Sequence, residues 1–226
     1  APFALLDLWK NFGGNRDQML QQEIISVSGL AVGDTARNLV RIFFLQERLK
    51  AVDEQRPPIE IRRLHVIGAG VMGGDIAAWS ALQGTSVTLQ DQNAESIARA
   101  MARAHQLFRR KLKIKRLVQA AMDRLMPDPQ GIGVGKADVI IEAIFENLEA
   151  KQALLSEVES AARKDALIAS NTSSIPIELI ADALRNPQRL VGIHFFNPVA
   201  KMQLLEIVAG EQSGAIELAT AKAYCL

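Results

Sequence analysis

From Ile61 onward, short apolar runs rich in β-branched residues alternate with longer stretches whose apolar positions recur at helical spacing. Runs at 62–67, 86–90, 138–142 and 166–170 read as strands, and stretches at 71–83, 93–120, 147–163 and 176–184 read as helices. Two further runs lie at 190–196 and 203–208. Strands without polar alternation must be covered on both faces, so the pattern predicts an α/β fold, a doubly wound and mostly parallel sheet between helices. No internal repeat interrupts it.

Residues 1–56 follow a different pattern. Leu5, Leu6, Leu8 and Trp9 open the segment, Gly13-Gly14 breaks it, and two amphipathic helical stretches follow. The second, about 34–50, spaces Leu39, Ile42, Phe43 and Leu49 among charged residues, with Asp34-Thr35 offering an N-cap. Arg56-Pro57-Pro58 then ends helical structure, because proline donates no hydrogen bond and pushes its predecessor out of the α region. The predicted organisation is a helical connector over 1–58 and a sheet domain over 59–226.

The first strand runs into Gly68-x-Gly70-x-x-Gly73, and a helical stretch follows at once. Gly68 permits a tight turn, Gly70 lets backbone approach phosphate, and Gly73 lets helix pack on strand, which is the fingerprint of a Rossmann-type dinucleotide site. The second strand ends in Asp91, 21 residues beyond Gly70, where a ribose-binding carboxylate belongs. A carboxylate there accepts from both ribose hydroxyls and repels a 2′-phosphate, and no arginine follows it, so the cofactor expected is NAD rather than NADP.

Composition narrows the picture only slightly. The chain has 226 residues, 49% hydrophobic and 23% charged, with a formal net charge of +1, which predicts no general affinity for nucleic acid or anionic membrane. No run approaches the ~20 apolar residues of a membrane span. Cys225 is the only cysteine, which excludes an intrachain disulfide framework and suits a reducing cytoplasm. The chain starts at Ala1 and stops within a helix-like stretch, so we expect a piece of a longer polypeptide. Residues 99–116 hold eight Lys or Arg and no acid, either a solvated helix face or an arm for an anionic ligand. Gly131–Ala137 resembles a phosphate loop but has Gln130 and Ala137 where such a loop needs Gly and Ser or Thr, and it is expected to be a turn.

Candidate chemistry gathers near the C-terminal end. Ser170-Asn171-Thr172-Ser173-Ser174, Gly192-Ile193-His194-Phe195-Phe196-Asn197-Pro198 and Glu206 supply a base, an acid to orient it, and hydroxyl and amide donors. If 190–196 and 203–208 pair antiparallel about Ala200, His194 and Glu206 stand directly opposite. A carboxylate beside an imidazole fixes its tautomer and favours proton removal from a substrate hydroxyl. His65, on the first strand, and His105, on the basic helix, lack such company and are expected to be structural. No metal site is expected.

With these motifs in place, the chain resembles a known family. Gly-Ala-Gly-Val-Met-Gly-Gly-Asp-Ile-Ala, Ile-Glu-Ala-Ile-Phe-Glu-Asn-Leu-Glu-Ala-Lys (141–151), Ser-Asn-Thr-Ser-Ser and His-Phe-Phe-Asn-Pro-Val are similar, over about 62–208, to the NAD-binding domain of the L-3-hydroxyacyl-CoA dehydrogenases. Residues 1–56 resemble the connector that follows the hydratase part of multifunctional fatty-acid oxidation α subunits. The resemblance implies a cofactor-side Met72 in the glycine loop, nicotinamide-side contacts from Ile144, Phe145, Glu146 and Lys151, and a further NAD contact from Asn197. It implies Ser173 as the serine shared by cofactor and thioester substrate, and His194 and Glu206 as the catalytic pair. It further implies a 3-hydroxyacyl-CoA substrate, a thiolase subunit as partner, a homo-oligomer, and coenzyme A phosphates near Lys113 or Lys115. The family continues into an all-helical domain that closes over the acyl chain. Two alternatives stand beside this reading: a cofactor-binding module inactive without that domain, and another NAD-dependent β-hydroxyacid dehydrogenase.

Overall fold

The computed structural model describes residues 2–53, 59–202 and 204–226. The chain divides into two compact units, 1–56 and 57–226. Arg56-Pro57-Pro58, where the sequence places the domain boundary, lies outside the described residues.

The first unit is three helices, α1 (Pro2–Phe12), α2 (Arg16–Val32) and α3 (Asp34–Asp53). The Gly13-Gly14 break falls where expected, and the Asn15 side chain caps α2 by accepting from the Gln18 amide at 3.1 Å. The expected Asp34-Thr35 cap is displaced by one position. The Gly33 carbonyl accepts the first backbone bond of α3, from Arg37 at 3.1 Å, which puts Asp34 inside the first turn, where its carboxylate pairs with Arg37. α1 and α2 bury no residue, and Phe3, Trp9, Ile24, Phe43 and Phe44 are exposed.

The second unit is built on β1 (Arg63–Ile67), α4 (Val71–Leu82), β2 (Ser86–Gln90), α5 (Ala94–Leu112), α6 (Lys115–Arg124), β3 (Leu125–Pro127) and β4 (Val139–Glu142). It continues through α7 (Leu148–Ala161), β5 (Leu167–Ser170), α8 (Ile177–Ala181), β6 (Leu190–Phe195), β7 (Leu205–Val208) and α9 (Ala215–Cys225). The seven strands form one sheet in the order β3-β2-β1-β4-β5-β6-β7, parallel throughout except for β7. The doubly wound, mostly parallel sheet is therefore present.

All four residues of β4 and all four of β5 are buried, as two-sided cover requires. One core layer joins Leu64, Val66, Val139 and Ile141 to Ile76 of α4 and Phe108 of α5. The other joins Ile67, Ile140 and Ile168 to Leu155 of α7 and Ile180 of α8. His65 is buried within β1, with Nδ1 2.7 Å from Thr88 Oγ1 and Nε2 2.9 Å from Gln90 Oε1. Burial pushes its pKa below the ordinary histidine value, although the Gln90 contact and Asp128 pull the other way.

The single helix expected over 93–120 is two helices. Lys113 takes the left-handed conformation, φ 56°, and turns the chain between α5 and α6. Apolar spacing runs on through Val118 and Ala121, and neither Gly nor Pro marks the break, so periodicity alone reads as one helix. The turn returns the chain to the sheet, where α6 delivers the unexpected edge strand β3 beside β2.

Candidate active site

β1 has β2 on one side and β4 on the other, so the chain leaves its two flanking connections in opposite directions and a crevice opens at the strand ends. Gly68 begins the loop there with φ +104°, and a Cβ on it would lie 2.5 Å from the Ala143 carbonyl. A Cβ on Gly73 would lie 1.8 Å from the Gly68 carbonyl, so the helix can fold back over the loop only with glycine there. Gly70, the N-cap of α4, faces open space, which leaves room for a ligand against the first-turn amides. Arg103 of α5 donates to the Gly70 carbonyl at 2.8 Å and so braces the loop from behind.

Asp91 stands beside this loop. Its Oδ2 accepts from the Ala69 amide at 2.7 Å and its Oδ1 from the Asn93 amide at 2.8 Å, which fixes the carboxylate while leaving lone pairs for ribose hydroxyls. A cavity of about 580 Å³ runs past Gly68, Gly70, Asp91, Gln92 and Leu154. A second, of about 590 Å³, runs past Met72, Ser173, His194, Phe196 and Asn197. Gly70, Ala143, Ile144 and Phe145 line both, so the two halves are one cleft over the carboxyl ends of the strands. An adenosine half with a paired-hydroxyl acceptor, an open cradle at a helix N-terminus and a second half lined by polar groups fit a dinucleotide.

His194 and Glu206 are partners in the β6–β7 register, and His194 Nδ1 lies 3.0 Å from Glu206 Oε2. The ring of Phe196 sits edge-on to the imidazole at 4.6 Å. The Asn171 side chain accepts from the Phe195 amide at 2.9 Å and ties the end of β6 to the loop after β5. His194 lines the cleft, and Glu206 meets its Nδ1 from β7.

Of the expected site residues, Gly68, Gly70, Met72, Asp91, Ile144, Phe145, Glu146, Ser173, His194 and Asn197 line this cleft, and Gly73 supports it from beneath. Lys151 does not reach the cleft surface. Its side chain is 1% exposed and its Nζ lies 2.6 Å from Glu142 Oε1 and 3.3 Å from Glu146 Oε2. Partial burial alone would raise the Glu146 carboxyl, but the Thr172 hydroxyl, the Lys151 ammonium and the Ser173 amide together hold it down to about 2. Motif reading gives Glu142 and Arg103 no part in the site, and it includes Asn171 and Phe196 in the site motifs without naming what each does. An acid closing the otherwise apolar run Val-Ile-Ile-Glu was the one available signal for Glu142.

Two other sequence features take definite places in the fold. In the loop at 131–137 the Asp128 carboxylate accepts from the amides of Ile132 and Gly133 at 3.1 and 2.6 Å, so these amides already hold an anion of the chain's own. Arg109, Arg110 and Lys111 occupy the last turn of α5, where cations complement the helix dipole. Among the described residues no group of three or more His, Cys, Asp or Glu could hold a metal ion, and no helix is long and apolar enough to cross a membrane.

Fold and cleft together define a dinucleotide-binding domain of the Rossmann class. Residues 63–226 match the family model described as 3-hydroxyacyl-CoA dehydrogenase, NAD binding domain, and the chain belongs to that family, with NAD as its cofactor. It is 38% identical over 220 residues to the fatty acid oxidation complex subunit alpha of Pseudomonas aeruginosa, covering 95% of this chain and 30% of that one. The chain thus spans about 30% of the length of the curated relatives it matches. The crystal structure of 3-hydroxybutyryl-CoA dehydrogenase from Escherichia coli K12 is similar with a TM-score of 0.70 and 33% identity, over 74% of this chain and 37% of that one. That of the (S)-3-hydroxybutyryl-CoA dehydrogenase of Ralstonia eutropha has a TM-score of 0.70 and 30% identity, over 74% and 60% respectively.

Proposed function

We propose that this chain carries the cofactor site and the proton-transfer pair of an NAD-dependent L-3-hydroxyacyl-CoA dehydrogenase, which oxidises the 3-hydroxyl of a fatty acyl-CoA in β-oxidation. The observation that carries the reading is the 3.0 Å His194–Glu206 pair on the same cleft as the glycine loop and Asp91. When bound, NAD supplies acceptance of hydride from C3. His194 uses Nε2 to take the C3 hydroxyl proton, since Nδ1 is turned to Glu206. Glu206 holds the imidazole in that tautomer and stabilises the cation formed. Ser173, on the same half of the cleft, positions the thioester end of the substrate, and Phe196 restricts rotation of the imidazole.

The family match supports the substrate class, and the relatives' names support the place in fatty-acid oxidation. The Pseudomonas relatives are named as subunits of a complex, which supports a partner subunit. A thiolase subunit, a second copy of the chain and a cytoplasmic setting complete the proposal. A second reading, an NAD-binding module that needs further chain to turn over substrate, is favoured by the 30% share of those relatives that the chain spans.

The test begins with NADH and NADPH titrations on this chain, followed by acetoacetyl-CoA and, separately, short 3-hydroxy acids with NAD. NADH binding with NADPH excluded and oxidation on acetoacetyl-CoA is the expected result. NADH binding without oxidation favours the second reading, and turnover of free hydroxy acids alone sinks the acyl-CoA assignment. In whichever form turns over, this chain or a longer one carrying it, His194→Ala should lower kcat by ~100-fold or more, the usual share of a general base.

A further inference from the structure

The tip of β4 holds a buried charge cluster that the proposed proton transfer does not use. Glu142, the last residue of β4, is fully buried. Its Oε1 accepts from Lys151 Nζ at 2.6 Å and from the Ile144 amide at 2.8 Å, and its Oε2 accepts from Ser170 Oγ at 2.6 Å. Lys151 rises from α7 and also meets Glu146 Oε2. The other oxygen of Glu146 gathers the loop after β5. It accepts from Thr172 Oγ1 at 2.5 Å, the amides of Ser173 and Ser174 at 3.0 and 3.2 Å, and Ser174 Oγ at 3.1 Å.

An ion pair this deep is a poor device for stability, because desolvating both charges offsets most of their attraction and an apolar pair of the same volume packs at least as well. What an apolar pair cannot provide is a fixed cation under Glu146. The loop that Glu146 holds carries Ser173, which lines the cleft, and Asn171, which is bonded to the strand bearing His194. The chain of contacts therefore runs from the interior ends of β4 and β5 to Ser173 and to the end of β6, in the second half of the cleft.

We propose that Glu142 and Lys151 are positioning residues. They anchor Glu146, and through it they set the place of Ser173 without touching substrate or cofactor themselves. The functional weight of this tether rests on the reading of Ser173 given above, but its existence can be tested without substrate. It also gives Lys151 a role different from the direct nicotinamide-side contact that family resemblance implies.

The experiment is amide hydrogen exchange by NMR on this chain, comparing the wild type with Glu142→Gln/Lys151→Met. The double substitution removes both buried charges together, so neither is stranded, and Gln can still accept from Ile144 and donate to Ser170. The amides of Ser173 and Ser174 should exchange at least ~10-fold faster, while interior amides such as Ala169 of β5 keep wild-type protection. Glu146→Gln, at a partly exposed site, serves as the second variant should the first fail to fold, and the same two amides should speed up. Unchanged exchange at Ser173 and Ser174 in a folded variant overturns the proposal. So does weakened NADH binding without a change at those amides, since that marks Lys151 as a direct cofactor contact. Faster exchange in a protein whose wild type turns over free 3-hydroxy acids and not acetoacetyl-CoA leaves the tether standing and removes the acyl-CoA dehydrogenase reading instead.

Discussion

Asp91 and His194 were legible because their chemistry is tied to spacing. One follows the glycine loop at a fixed distance, and the other faces an acid across a register that two apolar runs define. Glu142 and Lys151 were harder, since a buried ion pair depends on how far two elements are apart in space rather than in sequence. His65, expected to be structural because it lacks the company that His194 has, is buried with its partners, Thr88 and Gln90, on the next strand. Its titration has a consequence. Below its ordinary pKa of 6.5 the unfolded chain takes up a proton that the folded chain, with its pKa lowered by burial, does not. The contribution of His65 to stability is therefore complete above about 6.5 and declines as pH falls toward the folded value. Thermal melts at pH 7.5 and 5.5 should show a larger drop for the wild type than for His65→Gln, and equal drops would remove His65 as a source of acid sensitivity.

At the scale of elements, most strands and helices follow from apolar periodicity, and the departures have identifiable causes. The α5–α6 break sits at a lysine in a left-handed turn, a conformation that sequence does not announce unless glycine or asparagine occupies it. β3 is three residues long and owes its existence to the neighbouring β2 rather than to its own residues. The start of α3 shifted to Gly33 because a backbone carbonyl can open a helix whether or not a side chain caps it. The β1–α4 turn was the most legible element, since its glycines are required by contact as well as by conformation. Gly73→Ala would place a methyl group 1.8 Å from the Gly68 carbonyl, so loop and helix must part. NADH affinity should fall by ~100-fold or more, as happens when the reach of a positioning element is lost by ~1 Å. Circular dichroism should still report a folded sheet, and calorimetry showing wild-type affinity would contradict the cradle described here.

At the scale of the whole molecule, every residue assigned to the cleft belongs to the unit 57–226. Within the sheet the two halves of the cleft are placed unequally. The adenosine half stands over β1, β2 and β4, which have strands on both sides, whereas the His194–Glu206 pair spans β6 and the edge strand β7. Among the described residues the outer side of β7 has no neighbouring strand, and three of its four residues are exposed. Edge strands open at lower free energy than sheet centres, so warming should fray β7 before the middle of the sheet loosens. The protein would then grip its dinucleotide after losing Glu206, the partner proposed to orient His194. Catalytic inactivation should begin several degrees below the loss of NADH fluorescence enhancement, and coincident midpoints would indicate that edge and centre melt as one.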